Sequence, residues 1–274
     1  MIAVLGTGLL GTGFARALLA KGELVHVWNR TSEKARAIEG AVAFDDPAAA
    51  VRGAARVHVV VSDDAAVDGV LARLPPGLHV FDHSTTSTAG ALARTARADV
   101  AYLHAPVFMG PQNARDSTGL MLVSGDRARV AAATPLLAPM TGKLVDLGER
   151  VDAAACFKLM GNLFLMAFTA GIADMLGLAK ALGVPAAEAV TLFEHFNPAT
   201  TIGGRAKKMV DQAFTPPSWE LAMARKDARL VEAEVAAAGV DLALLPAIAA
   251  RMDRLIADGA GALDWTVIAR DFVR

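Results

Sequence analysis

Short apolar runs alternate with amphipathic segments through the first half of the chain. Residues 2–5, 24–28, 57–62, 78–83, 101–104, 120–124 and 143–147 predict strands. Runs such as His58-Val59-Val60-Val61-Ser62 lack polar alternation, which predicts strands covered on both faces. Between them, residues 10–21, 32–38, 65–73, 89–97 and 127–137 carry helical periodicity. Strands alternating with helices imply βαβ units on a parallel-rich sheet. After Gly148 the pattern becomes helical throughout. One long helix is predicted over 151–183, stopped by Gly183 and Pro185, with further helices over 186–195, 201–213, 218–238, 242–257 and 265–272. The expected fold class is α/β, with an N-terminal domain over residues 1–148 and an all-α domain over 149–274, entered through the long helix.

The first strand runs into Gly6-Thr7-Gly8-Leu9-Leu10-Gly11, a full G-x-G-x-x-G that opens a helix. In this strand–turn–helix setting the three glycines serve a tight turn, close approach of a diphosphate, and close helix–strand packing. The helix N-terminus favours the anion. The N-terminal domain is therefore expected to be a Rossmann domain, with Gly6, Gly8, Leu9, Leu10 and Gly11 at the cofactor. The second strand ends in Asn29-Arg30-Thr31, followed by Lys34, where a site for NAD usually carries an acidic residue on the ribose. A guanidinium there suits a 2′-phosphate, so the expected cofactor is NADP(H) in preference to NAD(H). Arg30 as a plain surface residue and Thr31 as a helix cap is the competing reading.

In the long helix, Lys158 and Asn162 stand among Phe157, Leu159, Met160, Phe164 and Leu165. Four residues apart, they share one helix face. A lysine in such surroundings is costly to bury without a partner or a task, and burial lowers its pKa toward the range of a proton donor and acceptor. For hydride chemistry Lys158 would exchange a proton with the substrate oxygen, and Asn162 would bind that oxygen or fix the lysine. A lysine snorkelling at a helix seam fits the same pattern.

Charge and composition narrow the field. The 274 residues carry a net charge of −1, so no basic field is available for nucleic acid. The single cysteine, Cys156, allows no intramolecular disulfide, and no metal-ligand spacing is present. The N-terminus lacks a basic signal region, and the uncharged stretch 159–173 is shorter than a membrane span. The chain reads as cytoplasmic, without a membrane partner. The apolar surface of the long helix and its followers predicts a homodimer or homotetramer. His83 and His195 read as candidate cleft residues or as satisfied structural histidines.

Five segments, GTGLLGTGFARALLAKGELVHVWNRTSEK, FDHSTTS, HAPVFMGPQNARDSTGLMLVSGD, KLMGN and WELAMARKD, resemble in order the motifs of the β-hydroxyacid dehydrogenases. That family includes 3-hydroxyisobutyrate dehydrogenase, the glyoxylate/succinic semialdehyde and tartronate semialdehyde reductases and, more distantly, 6-phosphogluconate dehydrogenase. The resemblance covers essentially the whole chain. It implies that Lys158 and Asn162 are catalytic and touch the substrate, that Ser84 and Thr85, with Asp82 at the strand end, lie beside the nicotinamide with Ser84 also at the substrate, and that Ser62 binds the cofactor. It also implies that Lys226, of the Lys226-Asp227 pair, reaches the cofactor and that Trp219 lies at the substrate. On the residues alone, Lys226-Asp227 would be a solvated charge pair and Ser84-Thr85 a helix cap. The chain departs from the family at its carboxylate anchor, where Phe108-Met109-Gly110 replaces the usual Ser-Gly-Gly. Thr88 replaces a proline, Asp152 and Ala154 replace glycines, and Gly161 replaces the first of two asparagines. The expected reaction is hydride transfer on a small carbonyl or alcohol, semialdehyde or hydroxyacid-like and less polar than usual. Imine reduction and a non-catalytic NADP(H)-binding module are the alternatives.

Overall fold

The computed structural model describes residues 1–273. Its first compact unit spans Met1–Asn162 and its second begins at Leu163. In the first unit, strands β1 (Ile2–Leu5), β2 (Val25–Trp28), β3 (Val42–Phe44), β4 (Arg56–Val59), β5 (His79–Asp82) and β6 (Ala101–His104) form an all-parallel sheet in the order β3-β2-β1-β4-β5-β6. Helices α1 (Leu9–Ala20), α2 (Ser32–Arg36), α3 (Pro47–Ala50), α4 (Asp64–Leu71) and α5 (Thr88–Thr95) connect them. Along β1, Ile2 and Val4 enter a cluster with Phe14 and Leu18, while Ala3 and Leu5 enter one with Leu71 and Tyr102. Both faces of the sheet are thus covered, which explains the uninterrupted apolar runs.

The last strands form a second sheet, a division the apolar pattern did not reveal. Ala105 donates to the Asp82 carbonyl, and Pro106, which has no N–H, ends that ladder. The chain then forms β7 (Val107–Phe108), helix α6 (Pro111–Asp116), β8 (Leu120–Val123), α7 (Arg127–Leu137) and β9 (Lys143–Asp146). β7 pairs antiparallel with β8, and β8 pairs parallel with β9.

Helix α8 (Ala153–Ala181) begins in the first unit. Its Ala154 N–H donates to Ser124 Oγ, which itself donates to the Val151 carbonyl. These bonds tie the opening turn of α8 to the end of β8, so this unit runs past the boundary expected at residue 148. By length and composition α8 could cross a membrane, although it carries Lys158, Asp174 and Lys180.

The second unit continues with α9 (Ala186–Ala189), α10 (Leu192–His195), α11 (Ile202–Val210), α12 (Leu221–Ala237), α13 (Leu245–Leu255) and a 3₁₀ segment, Trp265–Phe272. Phe214, Leu221, Met252, Leu255 and Val267 form its core. The helix expected from residue 218 starts at Leu221, because Ser218 is held by the buried Asp264 carboxylate, which also receives Lys208 and Thr266. Asp174 of α8 accepts the N–H groups of Ala243, Leu244 and Leu245.

Candidate active site

The turn between β1 and α1 is built by its glycines. Gly6 has φ +98°, and a Cβ there would overlap the Val60 carbonyl oxygen. A Cβ at Gly11 would overlap the Gly6 carbonyl oxygen, whereas the Cβ position of Gly8 meets nothing within 4 Å. The loop is therefore clamped at both ends and open in the middle. Gly8 caps α1 without a side chain, and the first turn holds no acid, so the helix N-terminus is free for an anion. Buried beside it, the Thr7 hydroxyl has no hydrogen-bond partner among the described residues.

Asn29 braces this loop. Its Oδ1 accepts the Thr7 N–H at 3.0 Å, and its Nδ2 donates to the Thr31 carbonyl at 3.0 Å. Its task is to hold the loop, and Thr31 stands at the cap position of α2 without a side-chain cap bond. Arg30, Thr31 and Lys34 are exposed, and Arg30 and Lys34 form no ion pair among the described residues. A cleft of about 780 Å³ brings Gly6, Gly8, Leu9, Leu10 and Gly11 together with Arg30, Thr31 and Lys34. Ser62, Ser84, Thr85, Met109 and Lys158 line the same cleft. The size, the open glycine turn and the unpaired cations fit a dinucleotide, with Arg30 and Lys34 free to take a phosphate. Arg73 also lines it, 5.6 Å from the Trp28 ring centroid, and no sequence signal marks this residue.

A buried histidine chain lies behind Ser84. His83 Nδ1 donates to the Ala105 carbonyl at 2.7 Å, which leaves Nε2 to accept from His58 Nδ1 at 2.9 Å. His58 Nε2 in turn accepts from Arg56 Nε. Every ring nitrogen is used with both rings neutral. Burial holds His58 well below the ordinary histidine range and His83 at about 4. Ser84 is buried, its Oγ accepting from the Val61 N–H at 2.9 Å and its N–H donating to Asp82 Oδ1. Ser84 thereby joins the ends of β4 and β5. His83, expected as a cleft residue or a satisfied structural histidine, has both ring nitrogens satisfied and also lines the cleft, while nothing in the sequence joined it to His58.

Lys158 is 9% exposed and stands between an amide, an aromatic ring and the cleft. Nζ donates to Asn162 Oδ1 at 2.9 Å, lies 4.2 Å from the Phe108 ring centroid, and lines the cleft. Burial lowers its pKa. Asp152, where the family pattern has glycine, pairs with Arg150 at 2.7 Å. Gly110 caps α6 and gives its N–H to Asn113 Oδ1 at 2.9 Å. In the second unit, the exposed Lys226 pairs with Asp227 at 2.7 Å, and Trp219 meets Trp265 in a tilted arrangement with ring centroids 5.3 Å apart. His195 is exposed on α10.

A family model described as the NAD binding domain of 6-phosphogluconate dehydrogenase matches residues 1–148. Uncharacterized oxidoreductase YfjR of Bacillus subtilis strain 168 is 25% identical, covering 98% of each chain. A probable 3-hydroxyisobutyrate dehydrogenase of Mycobacterium bovis is 30% identical over 73% of this chain and 69% of its own length. Mouse cytokine-like nuclear factor N-PAC is 31% identical over 84% of this chain, which spans only 43% of that longer protein. Among solved structures, a reductive aminase from Aspergillus terreus in complex with NADPH and ethyl levulinate superposes with a TM-score of 0.91. It is 24% identical, covering 99% of this chain and 98% of its own, a likeness of fold.

Proposed function

Because the chain belongs to the oxidoreductase family that shares the NAD-binding domain of 6-phosphogluconate dehydrogenase and includes 3-hydroxyisobutyrate dehydrogenase, we propose that it reduces a small carbonyl compound with NADPH. The substrate class is a small aldehyde or ketone of lower polarity than the usual hydroxyacid, and the reverse reaction oxidises the alcohol. One observation carries this reading. A mostly buried lysine amine, aimed by Asn162, lines the same cleft as the glycine turn.

A reduced nicotinamide held in this cleft would supply the hydride for the carbonyl carbon. Lys158 gives one proton to the oxygen, and the resulting amine regains a proton from solvent. Asn162 fixes the ammonium through Oδ1. Arg30 and Lys34 would hold the 2′-phosphate of NADPH, which NADH lacks, while the Asn29 brace keeps the glycine turn in shape.

Imine reduction is the second reading, favoured by the apolar Phe108 in place of a polar anchor. An already protonated imine would accept hydride without needing Lys158. We assign the protein to the cytoplasm as a homodimer or homotetramer. Following NADPH oxidation with aldehydes, ketoacids and imines, in wild type and Lys158→Ala, tests the proposal. Loss of carbonyl turnover by about a hundredfold or more with NADPH affinity intact is expected. Unchanged turnover removes Lys158 from the reaction, and turnover of imines alone shifts the assignment to C=N reduction. Absence of turnover with every class would leave a nucleotide-binding module.

A further inference from the structure

Building on the reading of Lys158 as the proton donor, we propose that Phe108 and Gly161 are a matched pair that restricts this site to an uncharged carbonyl group and excludes a carboxylate. The Phe108 backbone is tied to Leu120 of β8 by the β7 pairing. Its ring lies against α8 at Gly161, where a Cβ would stand 2.6 Å from Cε1 and closer still to Cζ. The ring therefore fills a volume that only glycine leaves open. The two departures from the family pattern are one structural change.

The ring also limits what Lys158 can bind. An ammonium has three N–H donors. Asn162 Oδ1 takes one, and the face of Phe108 covers a second side at 4.2 Å. One N–H is left, which suits a single acceptor such as a carbonyl oxygen. A carboxylate brought to the same amine would face the negative surface of the ring and find one donor where it favours two. The neighbouring backbone offers no substitute, because the Gly110 N–H is already given to Asn113. The Met109 side chain packs on Gly119, its Cγ lying 2.9 Å from where a Gly119 Cβ would stand, and adds apolar bulk beside the ring.

Isobutyramide and isobutyrate have the same shape and differ in charge, so they probe this selectivity without turnover. Titrated into the NADPH-loaded protein, isobutyramide should bind at least about tenfold more tightly, and Phe108→Ser should shrink that ratio to about threefold or less. Isobutyrate binding as well as the amide, or neither compound binding, overturns the proposal. The contact itself is tested by melting temperatures of Gly161→Ala, Phe108→Ala and the double variant. Gly161→Ala should lower Tm with Phe108 present and leave it unchanged or raise it with Ala at 108, where only the better helix propensity of alanine acts. Equal effects in both backgrounds overturn the pairing. These readouts are independent of Lys158→Ala turnover, so a failure of the lysine mechanism and a failure of the pair are told apart.

Discussion

His58 Nδ1 lies 2.9 Å from His83 Nε2, with the two rings stacked 5.2 Å apart in the floor behind Ser84. Neither ring has room for another proton, because each nitrogen is already a donor or an acceptor in the chain from Arg56 to Ala105. The native protein thus excludes protons that the unfolded chain binds near pH 6.5.

The sign follows from proton linkage. Below pH 6.5 the unfolded state takes up protons that native His83 refuses until about pH 4, so stability falls as pH drops through that window. A gap of 2.5 units, from 6.5 to 4, corresponds to about 3 kcal/mol for His83 alone. Urea unfolding at pH 7 and pH 5 should show about 2 kcal/mol of this loss, the remainder coming only as pH falls through 4, and His83→Asn should flatten the dependence even if it lowers stability at pH 7. A pH dependence unchanged by the substitution would show that the pair does not control it.

The parallel sheet, the glycine turn and the Lys158–Asn162 pair were legible because each has a local periodicity. β1 shows its burial as a continuous apolar run, and a four-residue spacing puts Lys158 and Asn162 on one helix face. β3 and β7 were missed, since strands of three and two residues carry no pattern. The histidine chain was also hidden, because it joins positions on different strands whose proximity only the sheet order creates. Arg73 belongs to the same class, brought to the cleft by the end of α4. Asn29 was placed at the cofactor from its motif and lines the cleft, and its two amide contacts, which brace the glycine turn, needed the fold to be seen.

Lys158 should give opposite pH profiles in the two directions of reaction. Reduction needs the ammonium, so kcat/KM for carbonyl reduction should fall as pH rises above its lowered pKa. Oxidation needs the free amine and should rise over the same interval. Asn162→Ala, which removes the group that aims Nζ, should lower kcat by about tenfold or more with little change in NADPH affinity. Profiles running in the same direction, or an Asn162 effect confined to NADPH binding, would contradict the assignment.

Arg30 and Lys34 should govern cofactor choice. Each is exposed at the cleft without an ion partner among the described residues, and a hydrogen bond to a charged phosphate contributes about 1.5–3 kcal/mol. Arg30→Ala should therefore weaken NADPH by about tenfold or more and leave NADH nearly unchanged, with Lys34→Ala acting in the same direction. Michaelis constants for both cofactors provide the check. A parallel loss for NADH would place these cations on the shared diphosphate instead.

The apolar surface of α8 should bury itself in a second copy of this chain. Leu163, Phe164, Leu165, Met166 and Phe168 are each at least 50% exposed. That stretch is more apolar surface than an isolated helix normally leaves in water. A bilayer is the less fitting cover, because Asp174 is charged and anchors α8 by accepting three backbone N–H groups from residues 243–245. Light scattering on purified protein at micromolar concentration should give a mass at least twice that of the chain. Phe164→Glu with Met166→Glu should reduce it toward the monomer, since a carboxylate buried at a symmetric interface meets its own copy. A wild-type protein that stays monomeric under these conditions, or assembly untouched by the two charges, would mean that this face is not the one through which copies associate.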